Sequence, residues 1–238
     1  MPSVRIIGAG RAGTAMAIAL GEVGWEVRPV PERDADVSAA AGGVDLLVLA
    51  TPDAAVEPVA RAVTPVPDTV VAHLAGSLGL EVLTPHPRRA AVHPLAALPD
   101  GPTGARRLLA GGWFAVAGDD LAATVVADLG GRPFAVADED RAAYHASAVV
   151  ASNHLVALLG QAERIAAGAG VPFEALLDLV HSTVANVVEL GPAAALTGPA
   201  ARGDDATIAR HLAVLAEEER AAYRAMAEQA ARLAGRRS

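Results

Sequence analysis

Three glycines stand at the spacing Gly-x-Gly-x-x-Gly directly after the first apolar segment of this chain, in the loop Gly8-Ala9-Gly10-Arg11-Ala12-Gly13. Residues 4–7 before the loop are short and rich in β-branched side chains, and residues 14–23 after it place small and apolar side chains at helical spacing. In a strand, loop and helix unit, the first glycine permits a tight turn, the second lets the backbone approach a phosphate, and the third lets the helix pack closely. The loop therefore predicts a dinucleotide site, and the alternative is an ordinary tight turn.

The composition excludes several kinds of site and partner. The chain has 238 residues, of which 53% are hydrophobic, and this is enough for one large domain or two small ones. The net charge of −8 is spread along the chain, so we expect no nucleic acid and no membrane as partner. There is no cysteine, which excludes disulfides and thiolate ligands, and we expect no metal site. Since neither a leader segment nor an apolar run of membrane-spanning length stands out, we expect a soluble cytoplasmic protein.

All 19 basic residues are arginine, and the chain has no lysine. The abundance of alanine and arginine indicates coding bias as the cause. The chemical consequence holds in any case, because neither a Schiff base nor a lysine acid can form.

The first half of the chain alternates between strand and helix patterns. Further strands are predicted at residues 26–30, 45–50, 69–74, 90–92, 113–117 and 132–136, and helices at 54–63 and 119–129. This alternation predicts an α/β fold with an open, doubly wound and mostly parallel sheet covered on both faces. Ligands bind such sheets at the carboxyl ends of the strands.

The second half has a different pattern, because no convincing strand follows Asp138. We therefore predict a dinucleotide-binding domain at residues 1–136 and an all-α domain at residues 137–238. Asp138 is the predicted N-cap of a long helix that runs towards Gly168. Further helices are predicted at residues 173–190 and 207–233. The apolar faces of these helices predict a homodimer formed through the helical domain.

The choice between NAD and NADP depends on the end of the second strand. A carboxylate there favours NAD and an arginine favours NADP. Glu32 fits the first, whereas Arg33, together with Arg11 in the glycine loop, fits the second. We favour NADP(H), and the alternative is that Arg33 is a solvated loop charge.

The predicted long helix carries polar side chains in an otherwise apolar stripe. His145 and Asn153 are eight residues apart, which places them about 80° apart around an α-helix and about two turns along it. A histidine can supply a proton near neutral pH, and an asparagine amide can orient a carbonyl or imine. Ser152 is a neighbouring candidate for substrate contact. The alternative is a structural histidine and asparagine in the core or an interface.

Two further groups of residues lie in predicted loops. Gly76, Ser77 and His93 follow predicted strands, at the edge where a nicotinamide ring would lie. Arg202 can hold a substrate carboxylate or form an ion pair that fixes its loop, and Asp204 is the predicted cap of the following helix. The other histidines singled out are expected to be structural, namely His73, His86 and His181.

These segments together resemble a family of Rossmann-like oxidoreductases whose C-terminal half is domain of unknown function 2520. That family is similar to ketopantoate reductase, pyrroline-5-carboxylate reductase and the 6-phosphogluconate dehydrogenase superfamily. The resemblance implies an NADP-binding domain and a helical domain with a cleft between them, completed by dimerisation. It places Gly8, Gly10, Arg11, Ala12, Gly13 and Arg33 at the cofactor, Thr51 and Pro52 near its ribose, and His145 with Asn153 in the cleft.

The chain departs from that superfamily at one point, because hydroxy-acid dehydrogenases and ketopantoate reductases use a lysine on the corresponding helix. His145 is the first candidate for its replacement, and His93 is the second. We expect an NADPH-dependent reductase of a small, carboxylate-bearing carbonyl or imine, with a ketopantoate-like 2-oxo acid as the first candidate. The alternatives are a nucleotide-binding sensor or scaffold without turnover, and a deazaflavin-dependent reductase of NADP.

Overall fold

The computed structural model describes residues 1–29 and 36–236. The chain divides into two compact units, Met1–Ser152 and Asn153–Ser238. The first unit contains all the strands found among the described residues, and the last of them ends at Ala135. The domain boundary that we predict after residue 136 corresponds to this change in secondary structure and stays a prediction.

The first unit is built on a seven-stranded sheet with the order β2-β1-β3-β4-β5-β6-β7. Strands β1 to β5 run parallel, whereas β6 pairs antiparallel with β5 and parallel with β7. This confirms the predicted fold class. The strands are β1 (Ser3–Ile7), β2 (Glu26–Val27), β3 (Leu46–Leu49), β4 (Val70–His73), β5 (Arg88–Pro94), β6 (Trp113–Gly118) and β7 (Arg132–Ala135).

Both faces of the sheet are buried, because successive side chains of a strand point to opposite faces. Leu46 and Val48 of β3 belong to one apolar core, and Leu47 and Leu49 belong to the other. Four α-helices lie between the described strands, of which α1, α3 and α4 line the first core and α2 lines the second. Their bounds are α1 (Arg11–Glu22), α2 (Asp53–Ala62), α3 (Gly101–Leu108) and α4 (Leu121–Asp128).

Helix α3 and the full length of β5 are missing from the sequence-based prediction. Strand β5 extends to Pro94, so His93 lies inside the strand rather than after it, which corrects the prediction. Asp100 caps α3 by accepting a hydrogen bond from the Thr103 N–H at 2.7 Å. Helix α3 packs closely against α1, since a Cβ added at Gly104 would lie 2.7 Å from the Ala15 Cβ.

Helical conformation continues from Asp138 to Gly168, as predicted, but it is not uniform. A 3-10 turn (Asp138–Asp140) leads into α5 (Arg141–Val149), a π segment (Val150–His154) and α6 (Leu155–Gly168). The run crosses the division between the two units. Asp138 does not cap α5, because its carboxylate accepts hydrogen bonds from the Leu80 N–H and from Arg141.

By length and composition, the run Asp138–Gly168 is apolar enough to cross a membrane. Its most apolar window has a mean hydropathy of 1.2, and none of that window is buried. This corrects the expectation that no run of such length exists. The core helix of a protein without membrane spans passes the same test, so the finding does not assign a membrane location.

The remaining helices of the second unit are α7 (Phe173–Leu190), α8 (Pro192–Ala195), α9 (Pro199–Arg202), α10 (Asp205–Val214) and α11 (Glu217–Leu233). The single helix predicted at residues 207–233 is therefore two helices. Leu215 and Ala216 adopt extended backbone conformations, and three glutamates follow in the first turn of α11, where the helix dipole favours negative charge. Asp204 caps α10 as predicted, accepting from the Thr207 N–H at 3.0 Å.

Candidate active site

The glycine loop between β1 and α1 depends on two of its glycines for its own geometry. Gly8 has φ +115°, and a Cβ added there would lie 2.5 Å from the Ala50 carbonyl oxygen. A Cβ added at Gly13 would lie 2.0 Å from the Gly8 carbonyl oxygen. These positions bring the start of α1 directly against the ends of β1 and β3.

Gly10 has a different environment from the other two glycines of the motif. It has φ −75°, which any residue can adopt, and a Cβ added there would meet no atom of residues 1–29 and 36–236 within 4 Å. Gly10 is also the N-cap of α1, and no side chain in the described part of the chain caps the first N–H groups of that helix. The fold therefore leaves open space and free N–H donors where a phosphate would bind. These features fit a dinucleotide pyrophosphate.

The other predicted cofactor residues lie at the same edge of the sheet or outside the described residues. Thr51 and Pro52 follow β3, and the Thr51 hydroxyl is buried without a hydrogen-bond partner in the described part of the chain. Ala9 and Arg11 are exposed. Arg33 lies outside the described residues.

Gly76 and Ser77 follow β4, next to this edge. The Ser77 hydroxyl donates to the Asp53 carboxylate at 2.9 Å. Gly76 itself is buried, and a Cβ added there would lie 2.6 Å from His145 Cδ2 and 2.9 Å from His93 Nε2. Only a glycine lets both imidazole rings approach the backbone this closely.

His93, Tyr144 and His145 form a cluster within the first unit. The Nδ1 of His93 lies 2.6 Å from the Tyr144 hydroxyl, and the rings of His93 and His145 have centroids 5.9 Å apart. His93 reaches the cluster from β5, and the other two side chains reach it from α5. The structure thus brings together two predicted catalytic residues and one predicted cofactor residue, Gly76. It adds Tyr144, to which the sequence analysis assigned no role.

The environment of His93 keeps this histidine neutral at neutral pH. Burial lowers the pKa of His93 to about 4, and the charges of His145, Arg141 and His73 act in the same direction. The carboxylate of Asp53 opposes this shift. A neutral imidazole has one N–H donor and one acceptor nitrogen, so His93 can both donate and accept a hydrogen bond.

Arg141 is the largest fully buried side chain found beside this cluster. Its Nε lies 3.2 Å from the Asp138 carboxylate, whereas Nη1 and Nη2 have no partner among residues 1–29 and 36–236. It is not among the residues predicted from the sequence. The sequence signal that could have identified Arg141 is its i,i+3 spacing from Asp138 at the start of a predicted helix.

Two of the histidines expected to be structural contact backbone carbonyl groups. His73 Nε2 lies 3.3 Å from the Gly79 carbonyl, and His86 Nε2 lies 2.9 Å from the Ala60 carbonyl. His73 is the last residue of β4, and burial lowers its pKa. His181 is exposed on α7.

The remaining predicted site residues lie at or beyond the division between the units. Ser152 and Asn153 are exposed in the π segment, where the wider turn invalidates the angle of about 80° that we calculated for a regular α-helix. Arg202 is exposed, and the described residues show no ion pair for it. The joint site of His145 and Asn153, and the substrate contact of Arg202, stay predictions.

Residues 114–230 match the family described as Domain of unknown function (DUF2520). The matched segment begins in β6 and ends in α11, so it includes Tyr144, His145 and Asn153 but neither the glycine loop nor His93. No curated protein matches the chain.

Solved structures share the fold of the matched segment and of the glycine-loop half that precedes it. A candidate NADP oxidoreductase from Bacteroides fragilis is 21% identical with a TM-score of 0.82, over 97% of this chain and 98% of that one. Pyrroline-5-carboxylate reductase from Streptococcus pyogenes is 15% identical with a TM-score of 0.65, over 97% and 98%. A reductive aminase from Aspergillus terreus, in complex with NADPH and ethyl-5-oxohexanoate, is 16% identical with a TM-score of 0.62, over 100% and 89%. At these identities the likeness establishes the fold.

Proposed function

We propose that this chain is an NADPH-dependent reductase of a small carbonyl or imine substrate that bears a carboxylate. The observation that carries the proposal is the position of two features at one edge of the sheet. The open side of Gly10 follows β1, and Gly76, which contacts His93 of β5 and His145 of α5, follows β4, which runs parallel to β1 and β5. When bound, NADPH would supply the hydride. The names of the proteins from Bacteroides fragilis and Aspergillus terreus support this cofactor.

The residues proposed to bind the cofactor act through backbone and charge. The loop of residues 8–13 and the first turn of α1 would bind the pyrophosphate, with Gly10 allowing the closest approach. Arg11 and Arg33 would bind the 2′-phosphate that distinguishes NADP from NAD. Thr51 and Pro52 are proposed near the ribose, and Gly76 with Ser77 near the nicotinamide.

The residues proposed to act on the substrate are those that the sequence predicts. His145 or His93 would supply the proton that a reduced carbonyl oxygen needs, and Asn153 would orient the carbonyl or imine. Ser152 and Arg202 are the proposed contacts of the substrate carboxylate. A ketopantoate-like 2-oxo acid is our first substrate candidate. The names of pyrroline-5-carboxylate reductase and the reductive aminase support testing imines beside it.

The double variant His145→Ala, Asn153→Ala tests this proposal. We expect turnover to fall by about a thousandfold, because both a proton donor and an orienting amide are lost, with NADPH affinity unchanged. Consumption of NADPH with a panel of 2-oxo acids and cyclic imines, together with a calorimetric titration of NADPH, measures the two effects. The control is His211→Ala, which removes an exposed histidine of the second unit. Full activity of the double variant would overturn the site assignment.

The absence of lysine favours one other function, a sensor or scaffold that binds NADPH without turnover. It predicts tight NADPH binding and no oxidation of NADPH with any member of the panel. A single productive substrate excludes it.

We also propose that the chain forms a homodimer through its helical half. Helix α7 has a wide apolar face opposite a polar stripe that includes Glu174, Asp178 and Glu189, yet none of its residues is buried, and Leu179 and Val188 are 62% and 82% exposed. A wide apolar face that is exposed to water is stabilised when it is covered, and the same face of a second copy would supply that cover. Sedimentation equilibrium without detergent is expected to give twice the chain mass. A monomer at micromolar concentration, or material that floats with lipid vesicles, would contradict the proposal.

A further inference from the structure

The contact between Tyr144 and His93 is the shortest polar contact within the histidine cluster. The hydroxyl and Nδ1 are 2.6 Å apart, and the two rings meet edge to face with centroids 5.5 Å apart. Phe134 of β7 packs edge to face against Tyr144 at 5.7 Å. The phenol is therefore fixed between a strand residue and the imidazole that it contacts.

The direction of this hydrogen bond follows from the acid strengths of the two groups. A phenol is a stronger acid than a neutral imidazole N–H, and an imidazole nitrogen is a stronger acceptor than a phenol oxygen. Since His93 is neutral, Tyr144 donates to Nδ1, and the single N–H of His93 lies on Nε2. The structure shows no partner for Nε2 among the described residues, and this atom faces Gly76 at the carboxyl edge of the sheet. Nε2–H is thus available to a bound substrate.

Arg141 supplies positive charge beside the phenol. Burial raises the pKa of Tyr144, and the charge of Arg141 opposes that effect. Two nitrogens of this buried guanidinium have no partner in the described part of the chain, so its charge is only partly neutralised by Asp138. A phenolate formed at Tyr144 would be stabilised by this cation.

We propose, on the basis of the reductase function above, that Tyr144 and His93 form a proton relay to a carbonyl substrate. The carbonyl carbon gains the hydride, and the electron pair of the C=O π bond moves to oxygen. The oxygen forms a bond to the proton on His93 Nε2, while the Tyr144 hydroxyl proton moves to Nδ1. The products are an alcohol, the oxidised cofactor NADP⁺, His93 in its other neutral tautomer, and a phenolate. The resting state returns when Nδ1 gives its proton back to the phenolate and Nε2 takes a proton from water.

This relay also names the substrate class. A carbonyl oxygen needs a proton as it is reduced, whereas an iminium carbon that gains hydride yields a neutral amine without any further proton. The relay is therefore of use to a 2-oxo acid or another ketone, and it adds nothing to the reduction of an iminium ion.

The tautomer of His93 tests the relay without any substrate. In the full-length protein labelled with ¹⁵N at histidine, long-range ¹H–¹⁵N spectra identify the protonated nitrogen of each ring, and His93→Gln assigns the signal. We expect the proton on Nε2 in the wild type and an altered Nδ1 shift in Tyr144→Phe. The control is Tyr223→Phe, because Tyr223 contacts Nδ1 of His211 at 2.5 Å in the second unit. A proton on Nδ1 in the wild type would overturn the relay, whatever the enzyme's activity.

Kinetics test the transfer itself. Tyr144→Phe is expected to lower kcat for ketone substrates about a hundredfold with little change in KM, and to leave the rate with cyclic iminium substrates within about threefold. Equal losses with both substrate classes would contradict the relay. If the wild type oxidises NADPH with none of the compounds in the panel, the proposed function is refuted. The tautomer measurement then still decides whether Tyr144 donates its hydrogen bond to His93.

A fluorinated tyrosine separates proton transfer from a structural effect of Tyr144→Phe. The chain has two tyrosines, so in a Tyr223→Phe background fluorotyrosine enters only position 144. The more acidic phenol loses its proton at lower pH, and the alkaline fall of kcat for ketones is expected to move to lower pH with it. An unmoved pH profile would overturn the relay.

Discussion

Gly13→Ala is expected to destabilise the protein by at least about 2 kcal/mol. The new Cβ would lie 2.0 Å from the Gly8 carbonyl oxygen, which is backbone and cannot rotate away, so α1 has to move from the strand ends. The gain of about 1 kcal/mol from the helix propensity of alanine offsets only part of this cost. Urea denaturation followed by circular dichroism measures the free energy of unfolding.

Gly10→Ala is the matched control, since it is the same substitution three residues earlier. We expect the free energy of unfolding to change by less than about 1 kcal/mol, because φ −75° suits alanine and no atom lies within 4 Å of the new Cβ. The affinity for NADPH is expected to fall tenfold or more, which is about 1.4 kcal/mol, as the methyl group occupies the phosphate position. Unchanged NADPH affinity in folded Gly10→Ala would contradict the proposed binding loop.

Gly76→Ala is expected to lower kcat about a hundredfold, because a displacement of catalytic groups by about 1 Å has an effect of this size. The added Cβ would lie 2.6 Å from His145 Cδ2 and 2.9 Å from His93 Nε2, so at least one ring must move. The loop of residues 8–13, which is proposed to bind the pyrophosphate, is untouched, and Gly76 is proposed to lie only near the nicotinamide ring. NADPH affinity is therefore expected to fall by much less than kcat. Stopped-flow kinetics with NADPH and the best substrate of the panel separates the two effects.

Gly112→Ala is the control for Gly76→Ala. Gly112 is also a loop glycine of the first unit, but the nearest atom to an added Cβ is the Arg107 carbonyl oxygen at 4.0 Å. We expect wild-type kcat for this variant. A Gly76→Ala protein with the same kcat as Gly112→Ala would show that the histidine pair has no part in turnover.

The fold could be predicted from the sequence because its determinants are local. Alternating apolar and helical periods locate the strands and helices, and the glycine loop requires a strand before it and a helix after it. The prediction failed where local signals conflict with packing. Helix α3 was missed because Gly101, Pro102 and Gly104 disfavour a helix locally, although Gly104 is what lets α3 approach Ala15 of α1. The break at Leu215 and Ala216 has no glycine or proline to mark it.

The candidate site was predicted only in part, because local sequence patterns do not show contacts between residues that are distant in sequence. His93, His145 and Gly76 were identified because they follow strands or interrupt an apolar stripe, and the structure brings them together. The role of Tyr144 could not be predicted, because its partner His93 is 51 residues away in sequence. Arg141 was missed since a charged residue at a helix start is normally solvated, whereas here it is fully buried.

The sequence by itself determined the class of fold, the glycine loop and the absence of a lysine catalyst, because each depends on residue type and spacing along the chain. Only the tertiary structure decided which glycines the fold requires and which one is left open to a ligand. It also decided that a tyrosine and a buried arginine accompany the histidine pair. Such contacts depend on strand register and side-chain rotamers, which bring distant residues within hydrogen-bond distance and leave no trace in local sequence patterns.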